Sequence, residues 1–339
     1  MAGITHLEEF QKPALQALVD ITTEEAPLTI ADEFIPTVTT YNRRFAYDII
    51  ENNNFIAEYM GYGAEPPVVD RNVIASKAGE IAYFGLKHIL TYEELQALNE
   101  ARNDAEHRAA IDSTTVTSVD LVKGSLKLIQ LAKMEALTKG RFEATGNVKV
   151  AFNYDIPAEN KKIWTTGADL DTVDFDVVGG LMAEVDKYVA LNGQLPEVMW
   201  ISREIQARLL RNQTIIAEAG RESTATRVSV EQLNGVLDTY GLPPIRVIQE
   251  RTTAYKDNFT GQRVVKEFMP ANRIVMLGKG RGNEYKLGPT LENNFQPGIF
   301  MDAYDKKEPI QSVIRTVGAG FPVLETPSLI HHIDAFTIA

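Results

Sequence analysis

The stretch VDLVKGSLKLIQLAKMEALTKG (residues 119–140), followed closely by VKVAFNYDI (residues 148–156), decides how this chain folds. In the first, Val119, Val122, Leu126, Ile129, Lys133 and Leu137 recur at helical spacing, and Lys139-Gly140 places a glycine at the stop position. The spacing predicts a helix of about 25 residues, roughly 37 Å long at 1.5 Å per residue. In the second, Val148, Val150, Phe152, Tyr154 and Ile156 alternate with Lys149, Ala151, Asn153 and Asp155, which predicts one long strand with a buried and a wet face.

Upstream, Ile4, Leu7, Phe10, Ala14, Leu15 and Leu18 keep a helical spacing that Pro13 interrupts, so a short helix or two is expected. Residues 21–40 mix Thr22, Thr23, Pro27, Thr29, Pro36 and Thr37 with isolated apolar positions, a pattern of extended chain. Either an arm lying across something else or an ordinary N-terminal strand fits it. Between Tyr41 and Ile89, strand-like pieces at Phe45–Ile50, Val68–Val69 and Ile81–Leu86 alternate with glycines and prolines, reading as a long hairpin or loop-rich β region. Thr91-Tyr92-Glu93-Glu94 is a capping box flanked by Leu90 and Leu95, so a helix begins there and is expected to run through Leu98, Ala101, Ala105 and Ala109. The β-branched cluster Thr114–Thr117 interrupts it before the long helix.

Downstream, Pro157 and the polar run Glu159–Lys162 make a turn, and a linker ends near Asp171. Residues 174–310 read as an α/β module. Phe175 to Val189 marks a helix, Val198–Ile201 a short buried strand, and Ser202 opens a helix with Ile205 and Leu209 inward. Ser229-Val230-Glu231-Gln232 is a second capping box whose helix stops at Gly241, Ile245–Ile248 is a strand, and Thr252–Tyr255 with Gln262–Phe268 signals a hairpin. Arg273–Leu277 completes a mixed sheet, and Gln311–Val317 with Pro322–Ile338 is expected to return to the sheet begun at Val148.

Bulk properties narrow the function. With 339 residues the chain can hold two compact domains, and 44% hydrophobic with 24% charged residues is ordinary globular composition. The absence of cysteine excludes disulfides, thiolate nucleophiles and cysteine-ligated metals. No apolar run approaches membrane length, and the first residues lack a basic region followed by an apolar run, so neither a membrane span nor export by a signal is expected. The net charge of -12 argues against a dedicated phosphate-binding surface.

Chemistry-bearing motifs are few. Gly278-Lys279-Gly280-Arg281-Gly282 lacks the spacing of a Walker loop, and Gly288-Pro289 forbids the helix a dinucleotide fingerprint needs, so a turn is expected. His331 and His332 are adjacent and point to opposite faces of a strand; with His6, His88 and His107 scattered, they make a metal site improbable. Glu93 and Glu94 are explained by capping, and Asp302 with Asp305 read as exposed turn residues. There is no nucleophile elbow and no Ser/His/Asp cluster. No catalytic, cofactor-binding or metal-binding residue is assigned, no cofactor is expected, and the chain is read as no enzyme.

The order of elements resembles the Hong Kong 97-type phage capsid fold, an α+β architecture. Ala132–Phe142 running into Val148–Phe152, Val264–Gly278, and the late Gly288-Pro289-Thr290 with Pro297–Phe300 resemble, more specifically, the lambda-type major capsid protein (capsid protein E) family. The resemblance implies an N-terminal arm (1–40), an extended β loop (41–111), a peripheral domain with a spine helix and long strand (112–170 and 311–339) and an α/β axial domain (171–310). It implies a structural head protein of a tailed bacteriophage that self-assembles, through hexamers and pentamers, into an icosahedral shell enclosing double-stranded DNA without sequence-specific binding. Scaffolding, portal and decoration proteins are the implied partners, the virion the implied location, and the host cytoplasm the implied place of assembly. Some relatives of the fold crosslink a loop lysine to an asparagine; Lys77 and Lys87 lie in the expected loop without a matching motif, so no crosslink is expected. A nanocompartment shell enclosing enzyme cargo, and a soluble α/β enzyme, are the alternatives.

Overall fold

The computed structural model describes residues 3–50, 73–101, 103–144, 150–221, 225–256, 261–308 and 310–338. By internal contacts the chain separates into two units, one comprising Met1–Ala46, Ala78–Lys133 and Glu284–Val323, the other Tyr47–Lys77, Met134–Asn283 and Leu324–Ala339.

The first unit is organised by one long strand. Helix α1 (Lys12–Glu24) precedes the short strand β1 (Thr37–Thr39), and β4 (Ala82–Ile89), β13 (Glu284–Gly288), β14 (Phe300–Lys307) and β15 (Ile310–Val323) supply the rest of the sheet. β15 takes β14 and then β13 antiparallel along one edge and β4 antiparallel along the other, and β1 adds parallel to β13. Fourteen residues are needed for this, because three partners share one strand. Its burial is nearly continuous, with Val313, Ile314, Phe321 and Val323 all within 1% of full burial. Helix α2 (Tyr92–Asn99) starts at the Thr91 capping box, and α3 begins at Asp104. Ile4, Phe10, Leu15 and Val19 are buried, and α1 lies against β14.

The second unit holds a mixed five-stranded sheet in the order β7 (Lys161–Ile163), β16 (Ile330–Asp334), β12 (Arg273–Leu277), β8 (Val198–Ser202), β9 (Ile245–Ile248). β12 is antiparallel to both neighbours, while β7 with β16 and β8 with β9 are parallel pairs. β8 is buried at every position, the pattern of a strand covered on both faces. Around it pack α4 (Val177–Asn192), α5 (Arg203–Leu209), α6 (Gln213–Glu218) and α7 (Val230–Thr239), sharing one core from Trp164 to Phe336. Asp176, Ser202, Asn212 and Ser229 cap these helices by accepting from first-turn N–H groups. Two hairpin-like pairs, β5 (Arg141–Ala144) with β6 (Val150–Asn153) and β10 (Thr252–Lys256) with β11 (Arg263–Glu267), also belong here. Strands β2 (Arg44–Ile50) and β3 (Val73–Glu80) pair with each other.

Several expectations change. Pro13 does not interrupt a helix but opens α1 in its first turn, where its fixed φ and missing N–H cost nothing. Residues 21–40 are extended only at β1; α1 runs to Glu24, and Ala31, Phe34 and Ile35 are buried by turns. The helix expected from Thr91 to Ala109 stops at Asn99, and a fresh one starts at Asp104, where the Asn103 side chain accepts from Glu106 N at 2.9 Å. α3 then runs 36 residues to Lys139, some 11 longer than expected, because Thr114, Thr117 and Ser118 bond back to carbonyls four residues earlier and so satisfy their hydroxyls inside the helix. Among the described residues β6 covers Val150–Asn153; Asp155, at φ 51, takes the left-handed conformation, and the strand does not reach Ile156. The C-terminal β segments do not return to it: Ile310–Val323 is one strand of the first unit's sheet, and Ile330–Asp334 pairs with Arg273–Leu277. Val68, Val69, Val148, Lys149 and residues 257–260 lie outside the described residues.

Gly140 ends α3 at φ 66, and a Cβ there would meet the Ile156 side chain. Gly140→Ala is expected to lower the unfolding free energy by about 1–2 kcal/mol. Gly235→Ala, inside α7 with open space around it, is expected to raise it by up to about 1 kcal/mol. Urea denaturation of the two variants side by side checks both signs.

Candidate assembly cleft and buried polar groups

In the first unit the apolar stripe of α3 carries a cation. The Lys133 side chain is only 1% exposed. Its ammonium donates to Asp32 Oδ1 and, at 2.6 Å, to Thr37 Oγ1, and it lies 5.7 Å from the centre of the Tyr285 ring. The second Asp32 oxygen accepts from both the N–H and the hydroxyl of Thr29 at 2.7 Å. Burial pushes the Lys133 pKa below the usual lysine value, with Asp32 pulling partly back. Burial alone would raise the Asp32 carboxyl, but the hydrogen bonds from Lys133 and Thr29 hold it below the usual carboxylate range. An ion pair with all its near bonds made is the stable arrangement at neutral pH.

Lys133 and Asp32 are among the residues lining a cleft of 660 Å³. α1 contributes Val19, Asp20 and Glu24, and α3 contributes Leu126 and Ile129. Close by in sequence stand large apolar side chains in water: Leu28 is 90% exposed, Leu291 69% and Phe295 65%. Asn294 and Phe295 both adopt positive φ, 52 and 61, in a loop closed by Phe295 N donating to Thr290 O at 2.9 Å. A bulky residue in that conformation is uncommon.

Ionic contacts hold the sheet of this unit. Arg315 on β15 grips Asp302 on β14 with two bonds of 2.6 and 3.0 Å and lies 5.1 Å from the Tyr304 ring centre. Asp305 accepts from Thr5 Oγ1 at 2.6 Å, Ser312 Oγ at 2.5 Å and Ile4 N at 3.3 Å. These two carboxylates therefore are not turn residues as expected; both are on β14, Asp302 buried against an arginine and Asp305 fastening the N-terminal segment.

In the second unit His331 and His332 face opposite ways on β16, both buried. His331 Nε2 is 3.1 Å from Glu184 Oε2, and His332 Nε2 is 2.8 Å from the Leu137 carbonyl. Burial lowers the His331 pKa, and burial with the nearby Arg273 lowers that of His332 to about 3. Among the described residues no three His, Cys, Asp or Glu side chains are grouped to hold a metal. Gly278–Gly282 forms the loop between β12 and β13, with Gly282 at φ 75 and Lys279 bound to Glu197 at 2.9 Å. Lys77 reaches Asp155 and the Asn153 carbonyl; Lys87 is the strand partner of Arg315. His88 lies 3.5 Å from Glu94, the capping-box glutamate.

The sequence contained a signal for the Lys133 site, a lysine on an otherwise apolar helical stripe, but nothing near it named Asp32, which lies 101 residues away. The loop at Phe295 carried none, because its conformation is set by Asn294 and Phe295 themselves and not by glycine.

Asp32→Ala leaves a buried ammonium without a counter-charge and is expected to cost about 3–5 kcal/mol in urea denaturation, more than Asp32→Ala combined with Lys133→Met. The buried histidines give a pH dependence. Both have folded pKa values below the unfolded value of about 6.5, so the unfolded chain binds more protons as pH drops below about 6.5 and stability falls; for His332 the fall continues toward about pH 3, at up to about 1.4 kcal/mol per pH unit, and His331 acts in the same direction. Urea melts between about pH 7 and pH 4.5 measure the slope, which His332→Asn is expected to reduce.

The model of the family described as phage major capsid protein E matches residues 16–332. No curated protein is found to match the chain. A crystal structure assigned as a prophage capsid protein from E. coli CFT073 superposes with a TM-score of 0.60 at 12% identity, covering 95% of this chain and 98% of its own. A phage-related protein from Bordetella bronchiseptica RB50 superposes with a TM-score of 0.54 at 9% identity, covering 94% and 96%. At such identities the likeness concerns the fold, and it spans both units. With nearly its full length matched, the chain belongs to the phage major capsid protein E family, structural shell proteins with the Hong Kong 97-type α+β fold.

Proposed function

We propose that this capsid protein builds the head of a tailed bacteriophage by self-assembly, through hexamers and pentamers, into an icosahedral shell around double-stranded DNA. The observation that carries the reading is the family match over residues 16–332 in a chain whose exposed surface includes Leu28, Tyr92, Leu291, Phe295 and Ile310, each more than 60% exposed. The chain acts by packing and not by catalysis, with no cofactor, metal or active-site residue. The net charge of -12 supports a wall that encloses DNA without gripping it.

Within such a shell, residues 1–40 act as the N-terminal arm, 41–111 as the extended loop, 112–170 with 311–339 as the peripheral domain, and 171–310 as the axial domain. These are roles in a lattice and are drawn differently from the contact-based units above. The paired β2 and β3 support the loop assignment. Scaffolding, portal and decoration proteins are the partners, the virion head is the location, and assembly takes place in the host cytoplasm. Among the described residues no helix is long and apolar enough to cross a membrane.

Negative-stain electron microscopy of the purified chain tests the reading. Closed shells or capsomer rings are expected; a uniform population of small monomers across a range of concentration and salt would count against it.

A further inference from the structure

We propose that the cleft in the first unit is a docking groove for a cationic, apolar peptide segment of a partner protein, one that presents lysine or arginine side chains from an amphipathic helix. The proposal deepens the shell reading by giving the chemistry of one partner.

The lining dictates that chemistry. Val19, Leu126, Ile129, Leu287 and Ile299 form apolar walls around 660 Å³, a volume in the range that takes several side chains. The polar groups at the mouth are mostly acceptors. Asp20 and Glu24 are exposed on α1. Gln16 has its Nε2 committed to Asp20 at 3.1 Å and to the Ile299 carbonyl at 3.4 Å, while its Oε1 is buried with no partner among the described residues. Lys133, the cation among the lining residues, is already committed to Asp32 and Thr37. Gln130 and Asn293 add neutral amides to the lining, but among its charged groups Asp20 and Glu24 face no cation, and lysine and arginine side chains bring one on an apolar stem.

Charge selects among occupants. Residues 1–40 hold seven carboxylates against the single ammonium of Lys12, so they account for half of the net charge of -12. A second copy carries the same net sign, and a neutral ligand brings no counter-charge to Asp20 and Glu24. A basic segment meets both the walls and the rim.

The test titrates the full-length chain with a fluorescein-labelled amphipathic peptide of lysine and leucine, about 18 residues long, and with its glutamate–leucine twin, following anisotropy at about 50 mM NaCl. The lysine peptide is expected to bind and the glutamate peptide not to. Asp20→Lys with Glu24→Lys is expected to weaken binding by at least about tenfold, and Leu126→Trp, which fills the groove, to weaken it as well. Glu8→Lys with Glu9→Lys makes the same charge change outside the groove and is expected to stay within about twofold. Equal losses from both charge pairs would overturn the proposal, since general acidity would then explain binding; so would an unchanged affinity in Leu126→Trp. Self-association that Leu126→Trp abolishes in sedimentation would assign the groove to a second copy instead. Shell formation is scored separately by microscopy, so a chain that forms no shells defeats the shell reading and leaves the peptide result standing.

Discussion

A protonated amine on the apolar face of a helix must find its counter-charge inside the fold, and Lys133 finds it in Asp32. Much of the first unit follows from that requirement. The Asp32 carboxylate is fixed by Thr29, which sets the turn between α1 and β1. The same ammonium takes Thr37, the first residue of β1, and faces the ring of Tyr285, the residue paired with Thr37 on β13. One cation thus joins a helix, a turn and two strands at a defined register. A buried pair of this kind adds little net stability over apolar residues of similar volume, because desolvation offsets most of the attraction. Its effect is selective: a shifted register would leave the charge unpaired, at a cost of several kcal/mol.

The sheet above that pair depends on small residues in an unlikely place. Gly318 and Gly320 lie in the middle of β15, where glycine is ordinarily unfavourable. A Cβ at Gly318 would run into the Phe84 ring, and one at Gly320 into the Tyr285 ring. The aromatic rings of the two neighbouring strands occupy the space the glycines leave, so the penalty for a flexible backbone is offset by close packing of large apolar surfaces. Tyr285 therefore serves twice, as the face beneath which Lys133 is buried and as the ring that covers Gly320.

Local signals were legible in the sequence and long-range ones were not. The capping boxes at Thr91 and Ser229 need only residues three apart, and both are present. The stop at Gly140 was likewise local, and the family was carried by three motifs whose order spans residues 132–300, about half of the chain. The start of α3 is hidden in the sequence because the β-branched cluster Thr114–Thr117 disfavours a helix unless its hydroxyls bond back along it, as those of Thr114 and Thr117 do. The continuity of β15 between Val317 and Pro322 is not legible in the sequence, because Gly318 and Gly320 favour a strand only once the Phe84 and Tyr285 rings fill the space beside them. Asp302 and Asp305 looked like exposed turn residues because Arg315, Thr5 and Ser312, which explain them, are distant in sequence or belong to another strand.

Assembly of identical subunits adds a constraint that no single chain satisfies. Each copy carries a net charge of -12, so copies repel one another on approach, although salt at physiological strength screens that repulsion beyond about 8 Å. Attraction must therefore come from surfaces that gain by leaving water. Leu291 and Phe295 supply such surface on a loop whose backbone holds two consecutive residues at positive φ, a conformation that costs energy in the free subunit. The positive φ values and the exposed ring are both costs to the free subunit. That the fold keeps both costs is intelligible in a shell subunit, where a rigidly presented apolar side chain loses little conformational entropy when it is finally covered.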